Sequence, residues 1–122
     1  GADAEQQRRL RATANKQVAE DDKLFAQSAK DAAVAKDGTP MVNVGFALVM
    51  AGQFDRGIAL MEQGLHKGGV RRPDEARLHL GIAYLAAGQK AKSVDAFKAV
   101  QGADGTADLA RLWAIHAQRS AA

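Results

Sequence analysis

The chain has 122 residues, 47% of them hydrophobic, with seventeen Lys and Arg against fourteen Asp and Glu for a formal charge of +3, and no cysteine. That length and balance suit one core in one domain, and the missing cysteine excludes disulfide scaffolds, Cys-based zinc sites and thiol catalysis. The cationic excess is scattered and aromatics are only 5%, which argues against the one-faced basic footprint of a nucleic-acid binder, and no run approaches the ~20 apolar residues that span a bilayer.

In chain order the elements read as helices. Residues 3–36 hold no proline and are rich in Ala, Gln, Lys, Arg and Glu, which lose little by being helical. The acidic group Glu20, Asp21 and Asp22 suits the first turn of a second helix. The expectation is therefore helices at about 3–17 and 21–36, with one long helix as the alternative. AKDGTP then supplies a C-terminal cap at Gly38, an N-cap at Thr39 and a first helical position at Pro40. A helix over 40–51 ends at Gly52. Phe54, Ile58, Met61 and Leu65 form one apolar stripe on the next helix. HKGGVRR, residues 66–72, is a turn, and Pro73, Asp74 and Glu75 open a further helix that Gly88 closes. Val94 and Phe97 repeat the stripe over 90–100. QGADGTAD is a loop containing Asp104, with Thr106 as the expected cap of a last helix over 107–119.

One phrase recurs. GFALVMAGQ at 45–53 is echoed by GIAYLAAGQ at 81–89, and over eighteen residues from Val44 and Leu80 the two copies share five identities, including Ala-Gly-Gln at 51–53 and 87–89. A glycine inside a helix sacrifices ~1 kcal/mol of propensity, so Gly45 and Gly81 point to a neighbouring helix too close for a Cβ. The same register moved back by 36 sets Gln17, Leu24 and Gln27 against Gln53, Leu60 and Gln63.

Leu80-Gly81-x-x-Tyr84, Ser93 and Phe97 fall at the offsets of the tetratricopeptide repeat, and Val44-Gly45-x-x-Leu48, Gly57 and Met61 resemble it with substitutions. The period is 36 rather than 34, Met41 and Arg77 hold the motif's opening Trp or Leu position, and its late Pro has no counterpart. The resemblance implies an all-α, tetratricopeptide-like α-α superhelix in a single domain. Its parts are a degenerate hairpin over 3–36, repeats over 39–67 and 73–100, and a capping helix over 107–119. Leu109, Leu112, Trp113 and His116 of that helix are expected to cover the last repeat.

Chemistry is sparse. His66, His79 and His116 lie in different elements without a metal-ligand spacing, no phosphate loop occurs, and the Asp104/Asp108 loop lacks the ligand set of a calcium site. No catalytic residue, metal or cofactor is expected. The resemblance implies a concave groove formed by Val42, Asn43, Phe46, Val49 and Met50 in the first copy and Leu78, His79, Ile82 and Leu85 in the second. The family's clamp for a peptide carboxylate has a Lys and an Asn where this chain has Val42 and Phe46, which disfavours that ligand. Two readings follow. One is a non-enzymatic module that binds a protein or peptide partner, or a second copy of itself as a homodimer, through an apolar groove. The other is the structural C-terminal domain of a larger exported protein, its groove filled from within. Lys67, Arg71 and Arg72 before the third main helix form a candidate anion site. The N-terminal GADAEQ reads as the start of a processed chain, which favours a periplasmic or otherwise exported location over a cytoplasmic one.

Overall fold

In the computed structural model, which describes residues 1–102 and 105–119, the two Ala-Gly-Gln phrases turn the chain in the same way. Gly52 takes φ +89° and Gly88 φ +77°. Each is closed by a pair of backbone bonds: Gln53 N–H to Leu48 O (2.9 Å) with Gly52 N–H to Val49 O (2.9 Å), and Gln89 N–H to Tyr84 O (2.8 Å) with Gly88 N–H to Leu85 O (3.0 Å). This is the Schellman closure, which needs a residue at ease in the left-handed region. It joins α2 (Thr39–Met50) to α3 (Phe54–Lys67), and α4 (Pro73–Ala86) to α5 (Lys90–Lys98). A long α1 (Ala2–Ala33) precedes these hairpins and α6 (Thr106–Arg119) follows them. The described residues are all-helical, with no strand, and the arrangement is repeat-like.

The two hairpins close differently. Across α2 and α3, a Cβ on Gly45 would lie 2.6 Å from the Gly57 carbonyl oxygen, and one on Gly57 would lie 2.5 Å from the Gly45 oxygen, so backbone touches backbone. Across α4 and α5, Ser93 replaces that second glycine, and the space above Gly81 is filled by the Phe97 ring, whose nearest atom is 2.4 Å from a Cβ built there. Ser93 is fully buried and its hydroxyl donates to Lys90 O at 2.6 Å. The expectation of close approach at Gly45 and Gly81 agrees with this geometry.

Three apolar clusters run along the array. Met41 and Leu48 of α2 and Leu60 of α3 meet Ala32, Ala29 and Phe25 of α1. Val42, Val49, Ile58, Met61, Leu80 and Tyr84 fill the space between α2, α3 and α4. Leu78, Phe97 and Val100 pack against Ala110, Ala114 and Ala117 of α6.

The N-terminal hairpin expected over 3–36 is not formed, because α1 is one helix of 32 residues. Register explains it: moved back by 36, Ala51-Gly52-Gln53 falls on Asn15-Lys16-Gln17, so a lysine stands where the turn requires positive φ. Glu20, Asp21 and Asp22 therefore lie in mid-helix, with Asp21 accepting from the Gln17 amide and Asp22 from the Gln53 amide, each at 3.0 Å. The C-terminal third of α1 packs on α2 and α3. The preceding ~20 residues extend beyond the α2–α3 turn for about 30 Å at 1.5 Å per residue, and residues 1–24 are all exposed.

Two end effects also differ from expectation. Thr39 lies inside α2 and does not cap it; Asp37 Oδ1 accepts from the Thr39 N–H at 2.8 Å, while the Thr39 hydroxyl accepts from the Arg71 N–H at 3.2 Å. On α6 the small residues Ala110, Ala114 and Ala117 face inward with the half-buried Trp113. Leu109 and Leu112 point outward, 46% and 64% exposed. Alanines allow closer helix packing than leucines would, so the covering stripe is the small one. The expected role of Asp104 lies outside the described residues.

Candidate functional site

The N-terminal ends of α2 and α4 lie side by side, because the α3–α4 turn is stitched to the α1–α2 loop. Gly68 and Gly69 take φ +85° and +70°, and the Gly68 carbonyl accepts from the Gly38 N–H at 2.9 Å. A recess of about 240 Å³ opens between the helix ends, lined by Thr39, Val42 and Asn43 of α2, Val70, Arg71 and Arg72 of the turn, and Glu75, Ala76 and His79 of α4. Its floor is apolar and its rim polar. Below it the Phe46 and His79 rings stack, with centroids 4.5 Å apart and planes within 10°. Phe46 thus bridges α2 and α4, half-buried against the core.

Only part of the expected groove gathers here. Val42 and Val49 are 3% and 1% exposed and belong to the core between α2, α3 and α4. Val42 contributes the floor of the recess, whereas Val49 lines no open groove. Met50 is 56% exposed at the far end of α2. Leu78 is buried, and Ile82 and Leu85 are half-buried, in the cluster that α6 covers. The open strip is therefore Asn43, His79 and the edge of Phe46. An amphipathic pattern marks which face is apolar without saying which neighbour covers it, so burial of Val49 and Leu78 was not readable. Residues missing from the expectation are Thr39, Val70, Glu75 and Ala76; the first-turn position of Glu75, four residues before His79, was the available signal.

The cations separate as well. Arg71 and Arg72 line the recess, but Lys67 turns away and donates from Nζ to the carbonyls of Ala33, at 3.0 Å, and Ala35. It closes the C-terminal end of α1, where unsatisfied carbonyls and the helix dipole favour a cation. Arg72 pairs with Glu75 at 3.2 Å, an exposed contact worth less than about 1 kcal/mol. An anion from the chain itself already stands in this corner. Hydrogen bonds from Thr39, first its N–H and then its hydroxyl, hold the Asp37 carboxyl below its ordinary 3.8, with Arg71 and Lys67 adding to the effect. The corner therefore holds two carboxylates, Asp37 and Glu75, against the three cations Lys67, Arg71 and Arg72, and presents Arg71 and Arg72 as exposed side chains.

Among the described residues no three His, Asp or Glu side chains come together as a metal site would require, and no helix is long and apolar enough to cross a membrane. Comparison with protein-family models, with curated proteins and with solved structures found no match.

Proposed function

We propose that this chain is a tetratricopeptide-like array that binds a segment of a protein partner at the recess between α2 and α4 and catalyses no reaction. The observation that carries the reading is the recess itself: an apolar floor of Val42, Val70 and Ala76 beside two exposed guanidinium groups, over a Phe46–His79 stack. Such a site suits an extended segment that offers one apolar side chain to the floor and a carboxylate to Arg71 or Arg72. It is narrower than the full concave groove of the repeat family. Support also comes from α1, which packs against Met41, Leu48 and Leu60 and leaves exposed Asn43 uncovered. The reading of a structural domain with its groove filled from within draws on the other half of the face, since α6 covers Leu78 and packs against Ile82 and Leu85.

Panning a displayed library of short random peptides against the immobilised protein tests the proposal. Selected peptides are expected to lose about thirtyfold in affinity on Phe46→Ala, corresponding to ~2 kcal/mol, and a similar amount on Arg71→Glu, with little change in thermal unfolding. Peptides indifferent to both substitutions would remove the recess as the site. A stability loss of about 3–5 kcal/mol for Phe46→Ala would mark the ring as core and favour the structural reading.

A further inference from the structure

The last helix of a helical array ordinarily turns a polar face to solvent. α6 does not. With Ala110, Ala114 and Ala117 buried against α4 and α5, its far side carries Leu112 and Ile115, 64% and 46% exposed, with Asp108 before them and Arg119 after, both exposed. These four positions are spaced four, three and four apart, the interval of a coiled-coil seam. At 3.6 residues per turn they fall within about 60° of one another, and their centre lies roughly 160° around the helix from the three alanines. The seam reads the same from either end except in charge: two apolar residues in the middle, an acid at the N-terminal end and a base at the C-terminal end. Asp108 contacts Arg111 on its own helix, whereas Arg119 makes no ion pair among the described residues. Beside the seam, Leu109, Leu112, Trp113 and His116 line a shallow apolar hollow.

We propose that two copies of this chain pair through α6, antiparallel, about a two-fold axis that passes the helix midway between Leu112 and Ile115. The axis sets Leu112 of each copy level with Ile115 of the other, and Asp108 of each level with Arg119 of the other. Two apolar layers are thus closed at both ends by an ion pair that lies on the seam itself. A parallel pair would oppose aspartate to aspartate and arginine to arginine, so charge selects the antiparallel sense. In that sense each flank of the seam meets the same flank of the other helix. Leu109 comes beside His116 of the other copy, which covers the hollow, and Arg111 comes beside the neutral Gln118. Charge and apolarity also fix the face. Turning the seam toward Leu109 would oppose that leucine to Arg119 and Leu112 to His116, placing a cation and an imidazole in the apolar layers. The pairing uses none of the residues that line the recess. The seam is only about 16 Å long, at 1.5 Å per residue, so the dimer is expected to dissociate in the upper micromolar range and to weaken with salt.

Sedimentation equilibrium at concentrations up to about 1 mM reads the association. Asp108→Arg opposes arginine to arginine at both ends of the seam and is expected to raise the dissociation constant at least about tenfold, as is Arg119→Asp, which opposes aspartate to aspartate. A chain carrying both substitutions restores opposite charges at both ends and should return to within about threefold of the wild type. That chain keeps any local fault of the single variants, so its recovery can come only from the pairing, and only from an antiparallel one. Leu112→Lys should abolish association. All three positions are exposed, so each variant should keep its helical signal, which circular dichroism checks. A wild type that stays monomeric at about 1 mM, a doubly substituted chain no better than the single variants, or a Leu112→Lys variant that associates like the wild type would each overturn the proposal. Peptides selected on a monomeric wild type that no longer bind Leu112→Lys would assign the face to a different protein and overturn it as well.

Discussion

Substituting Gly45 by alanine sets two effects of opposite sign against each other. Alanine is the better helix former by about 1 kcal/mol, so in an exposed helix the change would stabilise. Here the added Cβ would stand 2.6 Å from the Gly57 carbonyl oxygen, 2.6 Å from Met61 Cγ and 2.8 Å from Met61 N, where ordinary contact begins at 3.4 Å. Two of those three neighbours are backbone atoms, so no rotamer change relieves them, and α2 and α3 have to part by most of an ångström. That separation loosens Val49, Ile58 and Met61 together, which are between 0% and 5% exposed. Overpacking of this kind costs about 1–3 kcal/mol, and backbone obstruction puts it at the upper end. The net expectation is a loss of about 2 kcal/mol, or roughly 5–10 °C in the unfolding midpoint of a chain this size. Differential scanning calorimetry at neutral pH reads it directly. A midpoint that stays or rises would show that the helices are not in backbone contact and would refute the explanation of the repeated phrase.

The contrast with the second hairpin gives a companion expectation: Gly81→Ala meets only the Phe97 ring, which can tilt, so it should destabilise less than Gly45→Ala, as calorimetry on both variants would reveal. Lys67→Met should remove the cation from the carbonyls of Ala33 and Ala35 and weaken the hold on α1 by about 1 kcal/mol; amide exchange that accelerates in residues 25–33 alone is the signature, and uniform acceleration would contradict it. Burial, with Glu62 beside it, pushes the Tyr84 phenol from its ordinary 10.0 up to about 12. The fold thus favours the neutral phenol, and the associated stability, whole below pH 10, is lost as pH rises from 10 toward 12. Tyr84→Phe should flatten that part of the alkaline unfolding profile, and an identical profile would rule out Tyr84 as its source.

What could be read from the sequence follows from which constraints are local. Gly52 and Gly88 were legible as turns because positive φ is a property of one residue, and Gly45 was legible as a close contact because a glycine inside a helix has a known cost. Lys16 carried equally local information: its presence in place of glycine is why α1 does not break. Matching Gln17, Leu24 and Gln27 to Gln53, Leu60 and Gln63 passed over the residue that stands opposite Gly52. The covering of Leu78 by Ala110 and Ala114, and the outward Leu109 and Leu112, depend on how closely two distant helices approach. No periodicity within one helix encodes that distance. The recess is of the same kind, since Val70 and Ala76 become a floor only once the α3–α4 turn is tied to Gly38.

The projecting arm of α1 also gives the molecule a second kind of melting. Its amides have no tertiary contacts to protect them, so their protection follows a helix–coil equilibrium that propagates from the end held by Phe25, Ala29 and Ala32. Because that end supplies the nucleus, the arm escapes the initiation penalty of about 10⁻³ that suppresses free helices of this length. It should unzip from Ala2 inward, residue by residue, as temperature rises, with a propagation factor near unity. The far-ultraviolet dichroism would then slope steadily well below the cooperative transition of α2–α6, and the slope would vanish in a chain shortened to begin near Asp22.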